Sequence, residues 1–368
     1  MTHQTLLIAG ATGIVGQAAI EHFSALPGWK VVSLSRRAMP PRPGITHLSV
    51  DLTDAQRCRE ALASHGDITH VLYAALYEKP DLLGGWVDNE QIEVNRSMLR
   101  NLLDGVEAAT SQLCHVALLQ GTKAYGSHVG RVPVPAKERW PRLAHPIFYW
   151  PQEDLLRERS NRAGWAFSIL RPQIILGHAI GSPMNIIAAI GAYAAVQREL
   201  GLPLSFPGGG RYVNACSDSR LIARAVEWCG SSPNARNETF NVVNGDVLVW
   251  QDIWDSIAAH LGMEAGEPKP MKLSEHMPKQ EAVWARVAAK HGLKPLSLAQ
   301  LINSSWQFAD RNFAYGQADP MDRVVSPIKL RQAGFHDCFD TEDSVRYWLG
   351  RMEKDRVIPN IGRGGSSL

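Results

Sequence analysis

The run GATGIVG, Gly10 to Gly16, follows the apolar stretch LLIA directly and leads into a helical pattern. No other feature constrains the chain as much. Three glycines at this spacing suit the first turn of a βαβ unit: Gly10 for the tight turn, Gly13 for close backbone approach to a pyrophosphate, and Gly16 for close packing of helix on strand. The N–H groups at the start of the helix would then face the anion.

The rest of the first half repeats that rhythm. Leu6 to Ala9, Val31 to Leu34, His47 to Val50, His70 to Ala74, Leu113 to Leu119 and Ala166 to Leu170 are short apolar runs, with helical patterns such as Asn89 to Ala109 and Glu153 to Ala163 between them. Strands alternating with helices predict an α/β fold, a Rossmann-type doubly wound parallel sheet with its ligand crevice at the carboxyl ends of the strands. Beyond residue 180 the rhythm changes to a helix over Pro183 to Leu200, the loop PLSFPGGGR, a helix over Asp218 to Cys229, and the strand-like FNVVNGD. From Val249 on, the pattern is mostly helical and rich in tryptophan, which predicts a smaller C-terminal lobe that closes over the crevice. The expected division is a dinucleotide-binding domain over 1–180 with 214–246 returning to it, a substrate lobe over 181–213 and 247–360, and a flexible tail over 361–368.

One stretch without Asp, Glu, Lys or Arg, Gln173 to Val196, is interrupted by His178, Ser182, Pro183 and Asn185. The uninterrupted apolar part is too short for a membrane span, so a strand, a loop and a buried helix are expected. A formal net charge of +2 argues against a nucleic-acid or acidic-membrane partner. Five scattered cysteines without C-x-x-C spacing predict reduced thiols in a cytoplasmic protein, and the histidines lack metal-ligand spacing, so no metal is expected.

The end of the second strand distinguishes between the two nicotinamide dinucleotides. NAD is held by an acidic residue about 20 positions after the glycine motif. Here that place reads SLSRR, so Ser35, Arg36 and Arg37 stand where a guanidinium would pair with a phosphate, and NADPH/NADP+ is the expected cofactor. Asp51 and Leu52, at the next strand end, suit the adenine amine and ring face.

Reduction of a carbonyl or enone puts negative charge on an oxygen, and a phenol with a cation beside it can meet that charge. The common arrangement is Tyr-x-x-x-Lys on one helix. In FYWPQEDLL the residue four after Tyr149 is Glu153, so a cation must come from elsewhere. Lys123, directly after the fifth strand in LLQGTKAYG, is better placed than Lys137 in a proline-rich loop, and Tyr125 competes with Tyr149.

At these residues the chain resembles the progesterone 5β-reductase and iridoid synthase-like (PRISE) family, an atypical branch of the extended short-chain dehydrogenases. The resemblance runs through GATGIVG, WKVVSLSRR, VDL, THVLYAA, VNRSMLRNLLDGV, LLQGTKAYG, PRLAHPIFYWPQEDLL, FSILRPQIILG, ARAVEW, FNVVNGD and SPIKLRQAGF, in order over nearly the whole chain. It implies Tyr149 and Lys123 as the catalytic pair, with Glu153 and Asp154 opening the tyrosine's helix. Cofactor contacts are implied at Thr12, Gly13, Ile14, Arg36, Arg37, Asp51, Leu52, Ala75, Tyr149, Ile175, Ser182, Pro183 and Met184. The family often has Gln-Thr where Leu119 and Gln120 stand here, and its plant members have a longer loop than Gly126 to Arg139.

The expected activity is therefore NADPH-dependent reduction of the C=C bond of an apolar enone, with hydride to the β-carbon. Two alternatives are an NADP-dependent carbonyl reductase or sugar-nucleotide epimerase or dehydratase, and a non-catalytic NADP-binding sensor. A homodimer is expected by analogy alone.

Overall fold

The computed structural model describes residues 4–360, so the C-terminal run read as a flexible tail lies outside the described residues. In chain order come β1 (Gln4–Ala9), α1 (Ile14–Ser24), β2 (Trp29–Ser35), β3 (Ile45–Ser49), α2 (Ala55–Leu62), β4 (His70–Tyr73), α3 (Leu82–Gly85), α4 (Asn89–Ala109), β5 (His115–Leu119), α5 (Tyr149–Ala163) and β6 (Ala166–Pro172). They are followed by β7 (Ile174–Leu176), α6 (Ile186–Glu199), β8 (Leu204–Ser205), β9 (Cys216–Asp218), α7 (Ser219–Ser231) and β10 (Glu238–Val242).

Seven of these strands, among the described residues, form one sheet in the order β10-β6-β5-β4-β1-β2-β3. Every pairing in it is parallel. The sheet is that of a Rossmann-type α/β fold. The chain moves outward from β1 in both directions, through β2 on one side and β4 on the other, so the loops after β1 and β4 diverge and leave a crevice there.

Alternation along the strands sorts the side chains between two faces. Leu7, Ala9, Val32, Leu34, Val71 and Tyr73 pack with Leu99, Leu102, Leu103 and Val106 of α4 in one core. The opposite face takes α1 and α7, which pack on each other. Burying each such aliphatic side chain contributes roughly 1.5–3 kcal/mol, which offsets the entropy of ordering the strands. Two core histidines, His70 and His115, are part of this framework: burial lowers the pKa of both, that of His115 to about 3, and His115 bonds Ser168 Oγ at 2.9 Å.

The chain forms two compact units. One runs up to Gln173 and takes in Ser219–Val243 and Val325–Cys338; it holds the seven-stranded sheet. The other takes in Ile174–Asp218, Asn244–Val324 and the chain from Phe339 on. Its core surrounds α6, whose residues Ile186 to Gln197 are all buried, with Trp250, Trp254, Trp284, Trp306 and Trp348 packed in the same cluster.

The stretch Gln173 to Val196 divides into β7, a loop and α6, and no helix of the described residues is long and apolar enough to cross a membrane. One boundary differs from expectation. The helix expected from Pro183 starts at Ile186, because the Asn185 side chain accepts from Ala188 N and caps it there, leaving Ser182 to Met184 in the loop ahead.

Candidate active site

The glycine turn is built as a cradle. Gly10 has φ +88°, and a Cβ there would stand 2.6 Å from the Ala74 backbone carbonyl atoms at the end of β4. A Cβ on Gly16 would meet Gly10 O at 2.3 Å and Ala11 Cα at 2.8 Å, so α1 packs against the turn only because residue 16 has no side chain. Gly13 is the N-cap of α1 and no side chain caps that end. The uncapped N–H groups of this glycine-rich turn fit a dinucleotide pyrophosphate.

Around this turn lie the other first-unit positions. Thr12 is half-buried and Ile14 opens α1. Ser35 ends β2 and its Oγ donates to Arg37 O at 2.7 Å; His47 Nε2 approaches the same carbonyl at 3.1 Å, so the loop carrying the exposed Arg36 and Arg37 is braced. Asp51, exposed, accepts from Thr53 N and Oγ1, while Leu52 is buried and its carbonyl accepts from Asn101. Ala75 follows β4, its backbone N 2.7 Å from the point where a Gly10 Cβ would be. Ile175, in β7 opposite Ser217, and Ser182, Pro183 and Met184 belong to the second unit.

Tyr149 is the first residue of α5 and is buried, packed edge-on against Phe148 with ring centroids 4.7 Å apart. Its hydroxyl lies against the turn after β5: a Cβ on Gly121 would stand 3.1 Å from Tyr149 Oη. Lys123 is on the short 3-10 turn Thr122–Tyr125 that follows. Its ammonium is 4.1 Å from the centroid of the Trp86 ring and 6.0 Å from that of Tyr149, within reach of a cation–π contact with the indole. Burial pushes the phenol's pKa up, the charge of Glu78 pushes it the same way, and Arg171 opposes them. Glu78, just past β4, is itself pushed up by burial, with Lys123, Gln91 and Trp86 acting against that.

Position 153 corrects an expectation. Glu153 is the fifth residue of α5, not a residue that opens it, and the first turn of α5 contains no acidic side chain. It is buried and gathers three arginines: Arg157 at 2.8 Å, Arg142 at 3.0 Å and Arg171 at 3.5 Å. Burial raises the carboxyl's pKa, but hydrogen bonds and charge from Arg142 and Arg157 outweigh it and hold the group below its ordinary value. Gln120 completes this cluster by donating to Glu153 Oε2 and to the Tyr149 carbonyl, each at 3.3 Å, while its own Oε1 accepts from Arg171 Nε at 2.9 Å.

The competing residues sit elsewhere. Tyr125 Oη donates to Asn241 Oδ1 at 2.7 Å, and the Arg171 guanidinium lies 5.2 Å over its ring. Lys137 follows Ala136, which bridges to Val325. His178 is 3.5 Å from Asp355 in the second unit.

Sequence reading missed Gly121, Trp86, Glu78 and Arg171. Gly121 had a signal, since it stands two residues before the lysine singled out; Glu78 and Trp86 had none, because only folding brings the segment after β4 beside Lys123.

The profile of the PRISE-like Rossmann-fold domain family matches residues 46–317. The chain is 33% identical over 377 residues to a 3-oxo-Delta(4,5)-steroid 5-beta-reductase of Arabidopsis thaliana, covering 96% of this chain and 92% of that protein. It is 32% identical over 378 residues to an (S)-8-oxocitronellyl enol synthase of Camptotheca acuminata, covering 96% and 93%. Among solved structures, Thermus thermophilus UDP-glucose 4-epimerase in complex with NAD matches with a TM-score of 0.64 at 19% identity, over 95% of this chain and 99% of that one. That likeness concerns the fold.

Proposed function

The chain belongs to the family of PRISE-like Rossmann-fold proteins, and from that premise we propose that it is an NADPH-dependent reductase of the C=C bond of small apolar enones. One observation carries the site assignment: the Tyr149 hydroxyl lies against the turn after β5, with the Lys123 ammonium 6.0 Å from its ring, at the carboxyl edge of the parallel sheet.

A bound nicotinamide would supply the hydride for the enone β-carbon. The chain's part is to receive the charge that this displaces. As the π electrons move toward the carbonyl, Tyr149 donates its O–H to the oxygen and stabilises the enolate. Burial keeps the phenol protonated, so it serves as a donor, and Lys123 supplies positive charge nearby. The α-carbon then takes its proton from solvent, which balances the reaction as NADPH, enone and a proton giving NADP+ and the saturated carbonyl compound.

For the cofactor, Gly10, Thr12, Gly13, Ile14 and Gly16 would hold the pyrophosphate, Arg36 and Arg37 the 2′-phosphate, and Asp51 and Leu52 the adenine. The reading assigns the pyrophosphate, 2′-phosphate and adenine to the first unit and substrate recognition to the second. It includes a cytoplasmic location, in keeping with five free cysteines, and a homodimer.

The test is NADPH and NADH consumption with cyclic and acyclic enones, with product analysis, beside Tyr149→Phe and Lys123→Ala. Saturated ketone from wild type and loss of turnover in both variants is the expected result. Allylic alcohol as the product, or variants as active as wild type, overturns it.

A further inference from the structure

Gln120 has no part in that mechanism, yet among the described residues it is the one side chain bonded to Tyr149, through the tyrosine's backbone carbonyl at 3.3 Å. It is buried just past β5, and its own backbone N–H donates to Leu170 O at 2.8 Å, which carries the pairing of β5 with β6 one step further. Gly121, against which the Tyr149 hydroxyl lies, comes next, and Lys123 follows in the 3-10 turn.

The charges around the Gln120 amide decide which way it points. Its Oε1 accepts from Arg171 Nε at 2.9 Å, and a guanidinium can only donate. Its Nε2 faces Glu153 Oε2 at 3.3 Å, and a carboxylate can only accept. The second hydrogen on Nε2 is left for the Tyr149 carbonyl, so the acceptor and both donors are used. The charged partners are held in turn: Arg171 Nη2 is 3.5 Å from Glu153 Oε2, while Arg142 and Arg157 take Oε1 at 3.0 and 2.8 Å. A buried polar network with its members satisfied is stiff, and this one includes the first residue of α5.

Other bonds hold the start of α5 without joining it to the strand that leads to Lys123. Trp150 Nε1 donates to Leu143 O at 3.2 Å, and Gln152 Nε2 to Asn95 O at 2.8 Å. No side chain caps the helix at Phe148. At position 120 a methionine would have the length but no N–H, a glutamate would lack the N–H as well, and an asparagine is one methylene shorter.

We propose that Gln120 is a positioning residue for the enone reduction: its amide ties the first residue of α5 to the end of β5, so that the Tyr149 hydroxyl and the Lys123 ammonium keep one placement relative to each other. The proposal rests on the reading of Tyr149 and Lys123 given above. Without the amide, the Tyr149 carbonyl and Arg171 Nε each lose a partner, and the first turn of α5 is free to shift against β5. The phenol then meets the developing enolate charge out of line, whereas the residues assigned to the cofactor are untouched.

The experiment measures kcat and KM for a cyclic enone, NADPH affinity from nicotinamide fluorescence, and unfolding by denaturant, for wild type, Gln120→Met, Gln120→Asn, Arg157→Ala and Tyr149→Phe. Gln120→Met is expected to lose kcat by about ten- to a hundredfold. Its KM and NADPH affinity should stay within about twofold of wild type. Arg157→Ala takes one partner from the same buried carboxylate without touching Tyr149, so it should be less stable than wild type with kcat within about twofold. If Gln120→Met keeps wild-type kcat while Tyr149→Phe is inactive, the role of Gln120 is overturned and the enone reading stands. Equal losses of kcat in Gln120→Met and Arg157→Ala also overturn it, since the effect is then one of general packing. An active Tyr149→Phe overturns the reading of the site itself, and the proposal with it. Should Gln120→Met fail to fold, Gln120→Asn decides: a lower kcat at unchanged KM supports the proposal, and wild-type turnover overturns it.

Discussion

A Cβ on residue 121 would stand 3.1 Å from the hydroxyl oxygen of Tyr149, so the position of the phenol depends on Gly121 having no side chain. Gly121 is extended, with φ −178°, and any residue could adopt its backbone conformation. The constraint is steric alone. Gly121→Ala should therefore fold normally but push the phenol by a few tenths of an ångström, lowering kcat by about ten- to a hundredfold with NADPH affinity retained. Steady-state kinetics and a cofactor titration on the variant check this.

Restoring the common Tyr-x-x-x-Lys pattern should harm the protein. Glu153→Lys would place a fourth cation among Arg142, Arg157 and Arg171 at a buried position. Loss of a buried partner of this kind costs about 3–5 kcal/mol, and chemical denaturation should show it, with no gain in turnover.

The same group sets an acid dependence. Its pKa is lower in the folded state than in the unfolded one, so its stabilisation is fully present above the unfolded glutamate value and is lost as pH falls through the folded one. Glu153→Gln should be less stable than wild type at neutral pH, and the two unfolding free energies should converge in acid.

Arg36 and Arg37 stand exposed at the end of β2, with no acidic residue from Ser35 to Gly44. Replacing both with alanine should weaken NADPH binding by about ten- to a hundredfold for the loss of charged hydrogen bonds, and leave NADH binding nearly unchanged. Titration with the two cofactors separates these outcomes.

Tyr125→Phe is the counterpart of Tyr149→Phe. The Tyr125 hydroxyl is committed to Asn241, so its removal leaves a buried acceptor unsatisfied and should cost about 1–3 kcal/mol of stability while turnover persists. Denaturation and activity, measured on the same preparation, check both halves.

Much of the fold was legible because its signals are local. The glycine spacing, the alternation of apolar runs with helical patterns and the arginines after β2 are each properties of a few consecutive residues. The helix boundary at Ile186 was missed for a related reason: the capping role of Asn185 competes with the helical pattern that begins at Pro183, and the cap decides where the first turn closes.

By itself, then, the sequence determined the parallel α/β sheet, the glycine cradle and the residue types a reductase would need. Only the tertiary structure decided what surrounds Tyr149. Glu153 looks like a helix-start residue until α5 is seen to bury it among arginines from the preceding loop, from β6 and from its own next turn. Glu78, Trp86 and Lys123 come from the loops after β4 and β5, which adjacent parallel strands end side by side. Charge and burial act through space, so the environment of the phenol depended on which loops meet, and the residue pattern along the chain carries no record of that meeting.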